Sequence, residues 1–367
     1  MKKVLFLFLA GMSFAAAAGE LVFIGRGDKN IHVARLDLQT GALSGVREAA
    51  QVFAPSFLAI APNHHFLYAI SEGSAISNSA LSAFALGKDG ALTFLNRQSA
   101  VGSGPCHVSV DPRGQCAFLA NYNSGSMTVY PLQTDGSLAA PSTFIQNHGS
   151  SVVRERQQGP HAHCAETDLA GRYVFDCDLG LDQVLIYKLD AAHGTLTPND
   201  PPFFAAHPGS GPRHLAFHPN GHFAYLISEM AATVTALTYD PEKGRLAEIQ
   251  TESLTPEDYK GWRSGAEVAV HPTGRWVYAS HRGDNTITVF ACDVATGRLT
   301  VVERKSSGGK IPRDFEIDTT GAFLLAANQD SGLIVVFRID PATGRLQETG
   351  QTLAIPMPMC LKCLADE

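Results

Sequence analysis

The chain has 367 residues, 45% of them hydrophobic, with 34 glycines and 20 prolines, so it can bury a large core and punctuate a run of short elements with turns. Its formal charge is −7, and no basic run or stripe interrupts it, which excludes the electrostatic footprint of a nucleic-acid-binding surface. Seven cysteines are present. Cys360-Leu361-Lys362-Cys363 is a lone C-x-x-C with neither a second pair nor a following histidine, so no zinc or haem site is expected, and no metal or cofactor.

In chain order, Met1 to Lys3 are basic, Val4 to Ala18 are apolar and small, and Ala16 and Ala18 stand where a signal peptidase needs small side chains. The apolar run is shorter than the roughly 20 residues a membrane span requires. Residues 1–18 are therefore expected to be a signal peptide, and residues 19–367 one folded domain exported as a soluble periplasmic or secreted protein. Losing Lys2 and Lys3 with the signal takes the charge from −7 to −9.

After the signal, a Gly-x-Leu signature follows an apolar strand seven times, at Gly41/Leu43, Gly90/Leu92, Gly136/Leu138, Gly194/Leu196, Gly244/Leu246, Gly297/Leu299 and Gly344/Leu346. Self-similarity at a period of about 50 residues, built from short strands and turns with no long 3.6-residue pattern, is the mark of a β-propeller. Each copy reads as strand A, a Pro/Gly turn, strand B, then an outer pair C and D. Leu215 to Phe217, the turn His218-Pro219-Asn220-Gly221 and Phe223 to Ile227 make the clearest A-B hairpin. The expected fold is all-β, a seven-bladed propeller. The chain starts in a B strand, and Met357 to Leu364 matches A strands such as Gly104 to Val110. The C-terminal strand is therefore expected to join the N-terminal blade, closing the ring and removing its open edges.

From a fixed place in strand A to the end of strand B the separation is 15 residues in each complete copy: Phe57/Glu72, His107/Tyr122, His163/Asp178, His214/Glu229, Glu267/Arg282 and Asp314/Gln329. Cys360 and Arg26 take these places in the split blade. Because A and B are antiparallel, these positions gather on one rim of the central channel. Two long D-to-A connections reach the same rim: Gln146 to Gly159, with Arg154 and Arg156, and Leu254 to Gly265, with Tyr259, Trp262 and Arg263. Long loops on one face of a repeat array usually form its binding face. The same register sets Cys164 opposite Cys177, a pair that an oxidising compartment could bridge.

Imidazole, carboxylate and guanidinium on one rim suit attack of water on an ester: a base takes the proton, and fixed positive charge holds an oxyanion or an acidic substrate group. The alternative is that these groups only satisfy one another in a polar funnel. His64, His65, His218, His222 and His271 read as turn residues on the far side. Ser228 lacks the G-x-S-x-G elbow of a serine nucleophile.

Gly211-Pro212-Arg213-His214 with Phe217-His218-Pro219 and Glu229, Pro160-His161-Ala162-His163 leading to Asp178-Leu179-Gly180, and Arg282 ahead of the strand Ile287 to Phe290 together resemble the seven-bladed lactonase family. That family includes the propeller-type 6-phosphogluconolactonases and the fungal carboxymuconate lactonizing enzymes. The resemblance covers nearly all of the chain after the signal. It implies a metal-independent lactonase in which His163 and Glu229 are the acid/base pair, while Arg213 and Arg282, with His214 and His107 beside them, bind an anionic small-molecule lactone or polarise its carbonyl. Export departs from the pattern, since 6-phosphogluconolactone is a cytoplasmic sugar phosphate. Three further readings stay open: a lactone-forming cycloisomerase, a non-catalytic binding propeller, and a calcium-dependent lactonase, which would need carboxylates converging on one ion.

Overall fold

In the computed structural model, which describes residues 19–366, the chain forms 28 strands and one 3-10 turn, Ile76–Asn78. The expected signal peptide lies outside the described residues. Among the described residues no helix is long and apolar enough to cross a membrane. The strands make seven four-stranded antiparallel sheets, one per blade. Blade 1 is the split one. Its inner strand is Pro358–Ala365, paired with Gly19–Arg26, and Lys29–Asp37 and Leu43–Phe53 complete it. The C-terminal strand thus closes the ring as the sequence leads one to expect. Blades 2 to 7 have inner strands Leu58–Ile60, Pro105–Val110, Ala162–Thr167, Pro212–Phe217, Gly265–Val270 and Pro312–Ile317, and each inner strand touches those of the blades on either side.

The Gly-x-Leu signature has a physical cause. All seven glycines have positive φ, between 61° and 81°, where a side chain is strained. Each also abuts a neighbouring blade: a Cβ at Gly297 would lie 2.5 Å from the Phe223 ring, and one at Gly344 would lie 2.5 Å from Trp276. Three of their carbonyls accept tyrosine hydrogen bonds across the same seam, from Tyr225 Oη to Gly297 at 3.2 Å, Tyr278 Oη to Gly344 at 2.8 Å and Tyr68 Oη to Gly136 at 3.0 Å. The turn between the two outer strands of one blade is therefore a socket for side chains of its neighbour, an aromatic ring at five of the seven glycines.

The apolar core lies in the seams between blades. One cluster joins Phe175 and Ile186 of blade 4 to Leu226 and Leu237 of blade 5, another joins Tyr225 and Val234 of blade 5 to Val277 and Phe290 of blade 6, and a third joins Val22 and Ile24 of blade 1 to Leu325 and Val336 of blade 7. Burial at the seams leaves the channel to polar side chains. On the far face the two turn histidines latch blades together, with His218 Nε2 2.9 Å from the Gly274 carbonyl and His271 Nε2 2.9 Å from that of Gly321.

Candidate active site

The rim is shaped by a bulge at the start of the inner strands. In blade 5, Pro212 pairs with Ser228 and His214 with Ile227, so Arg213 is the extra residue. Blade 4 does the same, pairing Ala162 with Asp178 and Cys164 with Cys177, which leaves His163 over. Cys106 and Arg313 hold the equivalent places in blades 3 and 7. A bulge lets two successive side chains face the same side. Arg213 and His214 accordingly both enter the channel, with Arg213 Nη1 3.3 Å from His214 Nε2.

Glu229 follows the second strand of blade 5, its N–H bonded to the Gly211 carbonyl at 2.7 Å and its carbonyl taking the Gly265 N–H at 2.9 Å. Its buried carboxylate is the focus of the cluster. Oε2 lies 2.8 Å from Arg282 Nη2, 3.4 Å from Arg213 Nε and 4.0 Å from His163 Nε2. Oε1 accepts from Arg156 Nη2 at 2.7 Å, and the same nitrogen donates to Tyr122 Oη at 3.1 Å. Arg213 and Arg282 are fixed by carbonyls of blade 6, Ala266 at 2.5 Å and Gly265 at 3.3 Å. Arg282 also lies under the Trp262 ring, 5.7 Å from its centroid.

Burial alone would push Glu229 up, but Arg282, Arg213 and Arg156 outweigh it and hold the carboxyl at about 2. Burial, reinforced by Arg213, His214, Arg313 and Arg282, keeps His163 neutral, well below the usual imidazole range. Three buried nitrogens of this cluster have no hydrogen-bond partner: His163 Nδ1, Arg213 Nε and Arg282 Nε. Unsatisfied buried donors and acceptors are costly, so three in one cluster mark it as a place where polar groups are held for something other than stability.

The six site residues read from the sequence come together. His163, Glu229, Arg213 and Arg282 form the cluster just described. His214 and His107 lie against it, with ring centroids 5.1 Å apart for His163 and His214 and 5.2 Å for His107 and His214. His214 Nδ1 is bonded to Glu267 Oε2 at 2.8 Å, and burial keeps both His214 and His107 neutral. Beyond them the channel widens into a cavity of about 530 Å3 lined by Glu166, Glu267, Asp314, Glu316 and Lys362.

Three rim assignments need correction. His163 is not opposite Asp178, because the bulge takes His163 out of register and pairs Ala162 with Asp178. The Asp178 carboxylate is taken up by backbone, accepting the N–H groups of His161 at 2.7 Å and Gly180 at 2.9 Å. Arg26 pairs with Pro358 as Ser228 pairs with Pro212, one place before the Glu229 position, and its side chain is engaged by Asp28 at 2.7 Å and the Pro356 carbonyl at 2.8 Å. The Cys164–Cys177 register stands, and all seven cysteines are free thiols. Sequence reasoning gave Arg156 only as part of a wall and missed Arg313 and Lys362. Arg313 had a signal: Pro312-Arg313 repeats Pro212-Arg213 at the same place in the module. Among the described residues, no group of three or more His, Cys, Asp or Glu is placed to hold a metal ion.

A family model described as Lactonase, 7-bladed beta-propeller, matches residues 21–363. The chain is 40% identical over 339 residues to the 6-phosphogluconolactonase of Bacillus subtilis, covering 92% of this chain and 95% of that protein. It is 31% identical over 292 residues to the 6-phosphogluconolactonase of Formosa agariphila, covering 78% and 82%. Among solved structures it matches the periplasmic gluconolactonase of Pseudomonas aeruginosa with a TM-score of 0.90 at 32% identity, over 95% of this chain and all of that one (100%). A closed ring of seven blades, matched from the first strand to the closing one, makes this chain a member of the seven-bladed β-propeller lactonase family.

Proposed function

We propose that the protein hydrolyses a small anionic sugar or organic-acid lactone at the Glu229 rim, and that it does so as an exported enzyme. The observation that carries this reading is a neutral, buried imidazole 4.0 Å from a carboxylate that two fixed arginines and a third from a loop surround. At neutral pH, Glu229 is ionised and cannot donate a proton. His163 is neutral and can accept one. In the proposed reaction His163 takes a proton from water as the water oxygen bonds to the lactone carbonyl carbon. The imidazolium is stabilised by Glu229, and the tetrahedral oxyanion by Arg213 or Arg282. Collapse breaks the ring C–O bond, and His163 returns the proton to the departing alkoxide, giving the open hydroxy acid.

Positive charge supports an anionic substrate. Arg156, Arg213, Arg282 and Arg313 act on a region where Glu229 is the counter-charge. The 6-phosphogluconolactonase names of the two relatives agree with such a substrate, and the periplasmic gluconolactonase agrees with both lactone chemistry and export. The test is purified protein assayed against δ-gluconolactone with and without a 6-phosphate, against a buffer blank and with chelator. Hydrolysis above the blank, faster on the phosphorylated lactone and insensitive to chelator, is expected. No activity on any lactone would favour a binding propeller.

A further inference from the structure

Of the three arginines on Glu229, two are built into the ring and one is not. Arg213 and Arg282 side chains are 3% and 9% exposed, whereas that of Arg156 is 41% exposed. Arg156 belongs to the connection between blades 3 and 4. The backbone there is moored: Gln157 is fully buried, with its N–H on the Val153 carbonyl at 2.7 Å and its side-chain amide on the Leu179 carbonyl at 2.8 Å. Only the long side chain spans from this anchor to Glu229 and Tyr122. Arg156 also lines a cleft of about 720 Å3, beside Asn123, Gln146, His148, His161 and one carboxylate, Glu155. The guanidinium therefore has two destinations within reach of one fixed backbone, Glu229 or a group in the mouth of the cleft.

Building on the lactonase reading of this site, we propose that Arg156 is a substrate-charge gate: it caps Glu229 in the free protein and transfers to the anionic group of an incoming lactone, leaving the carboxylate to His163. A carboxylate shared among three guanidinium groups is a weak partner for an imidazolium. Withdrawing Arg156 strengthens the Glu229–His163 interaction at the moment His163 must take a proton. A neutral lactone offers Arg156 nothing, so the cap stays on. Binding energy from a remote charged group is thereby spent on the chemical step, which gives selectivity for charged lactones in the rate as well as in affinity. The other groups facing Glu229 cannot play this part. Arg213 and Arg282 are pinned to carbonyls, His163 and His214 are neutral, and Tyr122 is a phenol whose ionisation burial suppresses. Arg313 acts on Glu229's partners from blade 7.

The test has a kinetic arm and an equilibrium arm. In Arg156→Ala, the ratio of kcat/KM on an anionic lactone to that on its neutral analogue should fall by at least about tenfold, with Arg156→Lys intermediate. Less screened by Arg156, Glu229 should make His163 easier to protonate, moving the acidic limb of kcat/KM to higher pH. An equal loss on both lactones with an unmoved limb would reduce Arg156 to a structural residue and overturn the proposal. In the equilibrium arm, the Glu229 carboxyl, identified by its absence in Glu229→Gln, is titrated by 13C NMR in the full chain. Sulfate, which stays anionic through this range, should raise its midpoint in the wild type and much less in Arg156→Ala. Equal responses would also overturn the gate. If the wild type hydrolysed no lactone at all, the lactonase reading would fall, and the sulfate titration would still decide whether Arg156 answers to an anion.

Discussion

A carboxyl held at about 2 cannot act as a proton donor near neutral pH, so the division of labour at this rim follows from charge. In the proposed reaction Glu229 supplies fixed negative charge, and the neutral His163 supplies the lone pair. Arg213 and Arg282 are the only arginines of the group tied to the blade 6 backbone, so they are suited to hold an oxygen in one place. Arg282→Ala and Arg213→Ala should each raise KM for an anionic lactone by roughly 10- to 100-fold, and less for a neutral one. Steady-state kinetics on the two substrates check this. Equal effects on both would assign the arginines to the oxyanion instead. Most of this site was legible in the sequence, because a constant strand-to-strand spacing lines up His214 with Glu229 and Glu267 with Arg282. Arg156 was not, since nothing in the order of residues says that a loop side chain folds back onto a blade. The bulge was hidden for a related reason: it changes which residue points inward while leaving the spacing along the chain intact.

At the level of strands and turns, the repeat was visible because packing between blades demands it. A glycine with positive φ packed against the neighbouring blade disfavours any side chain, so the motif recurs wherever the seam recurs. Gly297→Ala would force a left-handed backbone on alanine and press its Cβ to 2.5 Å from Phe223. A loss of about 2–4 kcal/mol is expected from strain and overpacking together, measured as a shift of the urea midpoint. A midpoint unchanged from wild type would refute the socket. The closing strand was legible by the same logic, as an A strand without a hairpin partner. It places Cys360, Leu361 and Leu364 in seams with blades 2 and 7.

Across the whole ring, buried titratable groups set how stability depends on pH. Burial first, and then the neighbouring Asp178, raises Asp176 to about 8 from an ordinary 3.8. Its folded pKa exceeds the unfolded one, so the stability it lends is complete below about 4 and is lost as pH rises through about 8. His107, His163 and His214 are shifted the other way, and their contribution is present above the ordinary 6.5 and is lost as pH falls. Stability should therefore decline on both sides of neutrality. Asp176→Asn keeps the shape and removes the titration. The fall in Tm between pH 7 and 9, expected to be about 2–4 °C in the wild type, should shrink in that variant. Parallel declines in the two proteins would show that Asp176 is not responsible. This pair also explains how the ring steadies its rim. Asn147, at the start of the segment that carries Arg156, donates to Asp176 and Asp178, each at 2.8 Å.

The central claim, that His163 and Glu229 make this ring a lactonase, is tested most directly by the kcat of Glu229→Gln, His163→Ala and their double variant on an anionic δ-lactone, with the spontaneous rate subtracted and Tm recorded. The glutamine keeps the shape and deletes the charge. The account predicts a loss of about 10²- to 10⁴-fold in kcat with little change in Tm, and a double variant no worse than the product of the single losses. A folded double variant that hydrolysed the lactone at the wild-type rate would contradict it.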